Sequence, residues 1–390
     1  MRNPRRARWL IATMVLGLAA CSPRASSPAP EAFTPSAVPV PGASPSAVDC
    51  VTRTVAGMSL PERAGQLLMI GTPVGSPLGL GRTVKQLHLG GIFLAGRSTR
   101  PAAELKADIA TLTKAGTVPP LVALDQEGGS VQTLKGKDFP LLPSAQRLGD
   151  GPSDKLRDTV RQSARGLSTI GITLNLAPVA DTVPDDLGLA NPPIGAFRRQ
   201  YGSDPKKVAA AMTTVVPAFQ DEGVLTVLKH FPGLGRVRAN TDVSANVVDA
   251  QASATDPYLE PFAAGIEAGS TAVMIASARY PRLDRSTIAA YSKPIITGLL
   301  RDKLGFQGMV VSDDLGAADA AAIVAVGERA VRFVAAGGDL TLTIRPEDAE
   351  PMAEALIAEA KKSPGFAARV SDAARHVLTA KARAGLLSCS

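Results

Sequence analysis

The chain predicts a (β/α)8 TIM barrel, one α/β domain, on three observations. It holds eight short apolar runs, amphipathic stretches of helical spacing between them, and polar residues gathered just after the runs. The runs are Leu67–Gly71, Gly91–Ala95, Leu121–Asp125, Thr173–Val179, Leu225–His230, Ala272–Ala276, Met309–Asp313 and Asp339–Ile344. Near-continuous apolar character marks strands buried on both faces, as in a parallel sheet covered by helices. The stretches between them, such as Pro205–Glu222 and Ala321–Ala335, supply the covering helices. Eight such units over about 330 residues fit a (β/α)8 barrel. An open doubly wound sheet is the alternative, because apolar pattern alone does not close a barrel. No glycine-rich dinucleotide fingerprint follows the first run, which weighs against it. Composition does not break between residues 50 and 388, so residues 48–390 read as a single domain.

The 390 residues are 45% hydrophobic, enough for a large core. The net charge is +7, but Arg2, Arg5, Arg6 and Arg8 fall in a segment marked for removal. No basic run with interleaved aromatics occurs, so nucleic acid is not an expected partner. The basic start and the apolar run Trp9–Ala20 have the proportions of a signal peptide, residues 1–20. Leu18-Ala19-Ala20-Cys21 resembles a bacterial lipobox, which implies lipid attachment at Cys21 and an extracytoplasmic protein on the cell membrane. An uncleaved anchor or plain secretory signal is the alternative. Residues 21–47, rich in Pro, Ser and Ala, read as a disordered tether. Cys50 and Cys389 flank the folded part and, in an oxidising compartment, are expected to pair; two separate thiols are the alternative.

Asp125-Gln126-Glu127-Gly128-Gly129 follows the third run and Asp181 the fourth. Lys229-His230 ends the fifth, Arg279 follows the sixth, and Asp313-Asp314 ends the seventh. In a barrel all these strand ends open onto one face, where active sites are found. Carboxylates and cations converging there suit an anionic or polyhydroxylated ligand.

These strand ends resemble glycoside hydrolase family 3, in particular its single-barrel β-N-acetylhexosaminidases, over roughly residues 55–385. The matching stretches are Asp125–Gly129, Ile194-Gly195 through Arg199–Pro205, Lys229–Gly235 and Val311–Leu315. The resemblance implies a barrel without metal or cofactor that hydrolyses terminal β-linked amino sugars of a glycan or cell-wall fragment with retention. Residue by residue, it places Asp313 on the nucleophile, and Asp125, Arg199, Lys229 and His230 on sugar-binding positions. A carboxylate at a strand end has suitable chemistry for attack on an anomeric carbon. Ser312 or Asp314 would then cap the helix that follows.

The chain also departs from the family. An Asp-Ser-His triplet that carries the family's acid/base histidine reads Asn240-Thr241-Asp242 here. Ser130, Thr133, Leu234 and Ser277 stand where family members commonly have arginine or histidine. The only histidines are His88, His230 and His376, and His88 should lie at the opposite end of the barrel. A free aspartate is protonated in only ~0.1% of molecules at neutral pH, and raising it to ~6.5 costs on the order of 3.5 kcal/mol. Burial could supply that shift, whereas Arg236 and Arg238 in the same loop would oppose it. Asp242 is therefore the candidate acid/base. The competing readings are loop-ordering by an Asp242–arginine pair, an acid from elsewhere, and lost hydrolysis. Two functions stand: a retaining glycosidase with Asp313 as nucleophile, and a catalytically impaired sugar-binding lipoprotein on a hydrolase scaffold.

Overall fold

Each apolar run forms a strand in the computed structural model, which describes residues 45–387. The strands are β1 (Leu68–Pro73), β2 (Gly91–Ala95), β3 (Leu121–Leu124), β4 (Leu174–Asn175), β5 (Leu225–Phe231), β6 (Ala272–Ile275), β7 (Met309–Ser312) and β8 (Thr341–Thr343). Their order is β7-β6-β5-β4-β3-β2-β1-β8, parallel throughout. A parallel bridge between Val311 and Leu340 joins the two edges, and Ser312 N donates to Leu340 O at 3.0 Å. The sheet is thus a closed barrel, and the open doubly wound alternative is excluded. β4 is shorter than its apolar run. Pro178 has no N–H to donate to the ladder, yet its carbonyl and that of Ala177 accept from Lys229 N and Val227 N, and a parallel bridge pairs Val179 with Lys229.

The surrounding helices are α1 (Pro45–Gly57), α2 (Leu60–Gln66), α3 (Gly81–Leu87), α4 (Ala102–Thr113), α5 (Ala145–Gly149), α6 (Ser153–Thr169), α7 (Pro205–Gln220) and α8 (Glu260–Glu267). A π-helix, Pro294–Lys303, precedes β7; α9 (Val326–Ala335), α10 (Ala349–Lys362) and α11 (Pro364–Arg383) complete the chain. Their starts carry chemical signals. Ser59 and Glu62 form a capping box on α2, Asp204 caps α7 ahead of Pro205, and Ser363 caps α11 ahead of Pro364. The stretch from Ala321 becomes α9 only at Val326, because a separate turn, Asp319–Ala321, intervenes.

Alternation along the strands divides the core in two. Met69, Phe93, Ala123, Leu174, Val227, Met274, Val311 and Leu342 pack inside the barrel. Their neighbours Ile70, Ile92, Val122, Leu228, Val273 and Val310 pack outward with the helices. Val377 and Ala380 of α11 join the interior cluster, so this helix closes the floor. The opposite end, where the strands finish, stays open. Cys50 is disulfide-bonded; Cys21 and Cys389 lie outside the described residues. Among the described residues no helix is long and apolar enough to cross a membrane.

Candidate active site

The inward series on three strands runs from apolar to charged in single steps of two. Leu121 and Ala123 lead to Asp125, Leu225 and Val227 to Lys229, and Met309 and Val311 to Asp313. The alternation that buries the interior therefore also presents these groups at the open end. They line a cavity of about 180 Å³ together with Arg199, His230, Asp242 and Asp314. Its walls include Phe93, Leu176, Leu234, Met274 and Ile344. That volume is on the scale of one sugar ring, not an extended glycan. All six of the sequence-derived binding and catalytic candidates meet in it.

A charged network forms its polar side. Lys229 Nζ lies 2.6 Å from Asp125 Oδ1 and 2.7 Å from Glu127 Oε1. Arg199 clamps Glu127 through two bonds of 2.8 Å, from Nε to Oε2 and from Nη2 to Oε1. Burial pushes the Glu127 carboxyl up, but Arg199 and Lys229 outweigh it and hold it at about 2. Burial alone would lower the Lys229 ammonium, yet Asp125 and Glu127 raise it above the usual lysine value. Both cations are thus fixed and charged. Asp125, with a quarter of its side chain exposed, is the carboxylate of this network that reaches solvent.

His230 is held by Asp181, which no solvent reaches: Nδ1 is 2.7 Å from Oδ2. Asp181 also accepts from Leu234 N at 2.6 Å, tying the turn after β5 to the segment after β4. Gly235 makes that approach feasible, since a Cβ there would fall 1.7 Å from Thr182 O. The Lys229–His230 and Phe231–Pro232 peptides are cis.

Asp313 and Asp314 divide the labour that the sequence left open. Asp314 Oδ1 accepts from Gly316 N at 2.9 Å, Ala317 N at 3.2 Å and Ile344 N at 3.2 Å, so it closes the turn. Asp313 bonds through Oδ1 to Asp314 N at 3.0 Å and lines the cavity.

Asp242 stands across the cavity on the loop after β5. Its N–H donates to Asn240 Oδ1 at 3.1 Å. The residue reaches solvent at the cavity mouth, but flanking walls desolvate its carboxyl and the negative charge of Asp313 adds to the effect. Together they raise it above the ordinary aspartate value, against Asn240, His230 and Arg199. The expected opposition from Arg236 is corrected. That guanidinium lies 3.0 Å from Asp249 and 2.5 Å from Asp256, and it stacks over Tyr258 at 4.2 Å. It orders the base of the loop and leaves Asp242 to face Asp313.

Neither remaining histidine reaches the cavity. His88 ends α3, with its carbonyl held by Gln66 Nε2 at 2.6 Å. His376 pairs with Asp339, before β8, at 3.0 Å. Arg279, grouped by sequence with the strand-end polar residues, instead joins a small hairpin, where its N–H donates to Val247 O at 2.8 Å. Three positions assigned no role from the sequence matter here: Glu127 and Asp181, both noted after strand ends, and Asn191. The buried Asn191 donates through Nδ2 to Leu234 O and Val237 O, both at 2.9 Å. Its Oδ1 accepts from Ile194 N at 3.0 Å and Gly195 N at 2.9 Å. One amide thus joins the Asp242 loop to the turn leading to Arg199. Position after a strand end flagged Asp181, and the period of two that flags Asp125 also reaches Glu127; nothing local flags Asn191.

Comparison with known proteins agrees with this arrangement. The family model for the glycosyl hydrolase family 3 N terminal domain matches residues 59–380. A crystal structure of a β-N-acetylhexosaminidase from Beutenbergia cavernae superposes with a TM-score of 0.81 at 42% identity, covering 84% of this chain and 99% of that one. A β-hexosaminidase of Xanthomonas oryzae is 34% identical over 273 residues, 66% of this chain and 77% of its own. A β-N-acetylglucosaminidase/β-glucosidase of Cellulomonas fimi is 30% identical over 353 residues; the chain covers 60% of that protein's length.

Proposed function

The chain belongs to glycosyl hydrolase family 3, as a β-hexosaminidase-like glycoside hydrolase, and from that premise we propose an exported, lipid-anchored enzyme that removes terminal β-linked amino sugars with retention. The observation that carries the reading is the pair of carboxylates, Asp313 and Asp242, on one sugar-sized cavity whose other side is the Asp125–Lys229–Glu127–Arg199 network. Asp125 accepts sugar hydroxyls, while Lys229, His230 and Arg199 donate to them. Asp313 attacks the anomeric carbon as protonated Asp242 gives its proton to the departing glycosidic oxygen. Asp242 then takes a proton from water, whose oxygen attacks the same carbon and releases Asp313. The rise in the Asp242 carboxyl supports the acid role, because it keeps the proton available to higher pH.

The test compares N-acetyl-β-D-glucosaminides bearing nitrophenyl and alkyl leaving groups. Asp313→Asn should abolish turnover of both, and a slow fluorosugar should label Asp313 in the parent protein. Asp242→Asn should slow alkyl glycosides by roughly 10²–10⁴-fold and nitrophenyl glycosides far less, since nitrophenolate leaves unprotonated. In the parent, alkyl-glycoside kcat should fall as pH rises through the Asp242 value, and the variant should lose that limb. Saturable sugar binding with neither labelling nor nitrophenol release would instead establish an impaired binding protein. For the anchor, a radiolabelled fatty acid should enter the chain in bacterial cells and be lost in Cys21→Ala; labelling that persists would place the lipid elsewhere.

A further inference from the structure

Eight large apolar side chains are exposed among the described residues, and all eight lie on segments between a barrel strand and the helix that follows it. Scattered exposed apolar residues are ordinary, but scatter would place some on the covering α-helices or at the floor. All therefore lie at the end of the barrel onto which the charged cavity opens. Three of them lie on the loops that carry, or are bonded to, the carboxylate pair. Val243, 75% exposed, follows Asp242 directly, and Ile323 is 73% exposed. Their loops are laced together: Asp319 N donates to Asp242 O at 3.4 Å, and Ala320 N to Thr241 O at 3.3 Å. Ile344 is 40% exposed, lines the cavity itself, and is held to Asp314 through its N–H.

A proton donor to the glycosidic oxygen must stand beside the leaving group. A group departing past Asp242 leaves beside Ile344 of the cavity wall and the loop of Val243, to which the loop carrying Ile323 is bonded. Resting on the function proposed above, we propose that the substrate's leaving half is apolar: a β-glycoside whose aglycone carries an alkyl, acyl or aryl group next to the bond that breaks. The sugar sits among fixed charges inside, and the apolar group lies on the rim outside. Continuity of the rim with the cavity through Ile344 is what selects an aglycone over a free-standing partner.

Non-cleavable thioglycosides test this without turnover. Methyl and octyl 1-thio-β-D-glycosides of N-acetylglucosamine and of glucose would be titrated calorimetrically below the micelle concentration. The octyl compound should bind roughly tenfold or more tightly than the methyl one, from several partly buried methylenes. A Val243→Ser/Ile323→Ser variant should narrow that ratio to about threefold or less. Both positions are solvent-exposed, so the fold should survive, and a circular dichroism melt checks this. Equal affinity of methyl and octyl compounds would overturn the apolar subsite while leaving the proposed hydrolysis intact. Parity accompanied by variant-sensitive binding to phosphatidylcholine vesicles would assign the rim to a lipid surface and overturn it equally. Absence of saturable binding by either sugar would overturn this proposal together with the sugar-site reading, which nitrophenol release tests separately.

Discussion

Glu127 lies beneath Lys229 and Arg199 with 3% of its side chain exposed, and its charge balances theirs. Removing one partner from a buried ion network leaves the others uncompensated, typically at about 3–5 kcal/mol. Glu127→Gln should therefore lower stability by about that amount in urea titrations, and weaken sugar binding because both cations lose their anchor. The pH dependence has a definite sign. The Glu127 carboxyl is lowered from 4.5 to about 2 on folding, so its contribution is complete above 4.5 and is lost as pH falls toward 2. The variant should show a shallower acid limb in the same titration. Here the sequence was partly legible. Asp125, Lys229 and Asp313 could be found because each extends an inward series. Glu127 stood in the same motif, two residues past Asp125, but that Arg199 and Lys229 both close on it depends on long-range contacts that no local pattern records.

At the scale of elements, strand ends were legible and loops were not. Apolar runs located all eight strands because burial on both faces leaves a continuous signature. The loop from Gly233 to Asp256 has no such period; it is ordered by Arg236 on Asp249 and Asp256, and by Asn191. Long-range polar bonds of this kind leave no pattern in neighbouring residues. Asn191→Ala would strip four hydrogen bonds from buried backbone groups, each costing about 1–3 kcal/mol where left unsatisfied. We expect a drop of several kcal/mol in denaturant titration and higher protease sensitivity between Leu234 and Val248. With glycoside substrates, KM should rise and kcat fall together, since Arg199 and Asp242 are displaced at once. Asp242→Asn should instead act mainly on kcat, so the two variants are separable.

Over the whole molecule, the open end holds paired charges and the floor holds an unusual one. Lys381 of α11 is fully buried, with Nζ 2.5 Å from Gln66 Oε1, and desolvation lowers it from 10.5 to about 7. The unfolded chain thus binds this proton more tightly than the folded one between those values, and stability rises with pH across that window. Relative to Lys381→Met, the parent protein should gain thermal stability between pH 7 and pH 10, measured by calorimetry; a constant difference would show that the ammonium stays charged inside. The position of α11 has a consequence in time as well as in space. Val377 and Ala380, which close the bottom of the barrel, lie near the end of the chain, and β8 must travel back to β1 before the ring is complete. A nascent chain stalled before Pro364 would be a ring without a base, its interior open to water, chaperones and proteases until the final helix emerges.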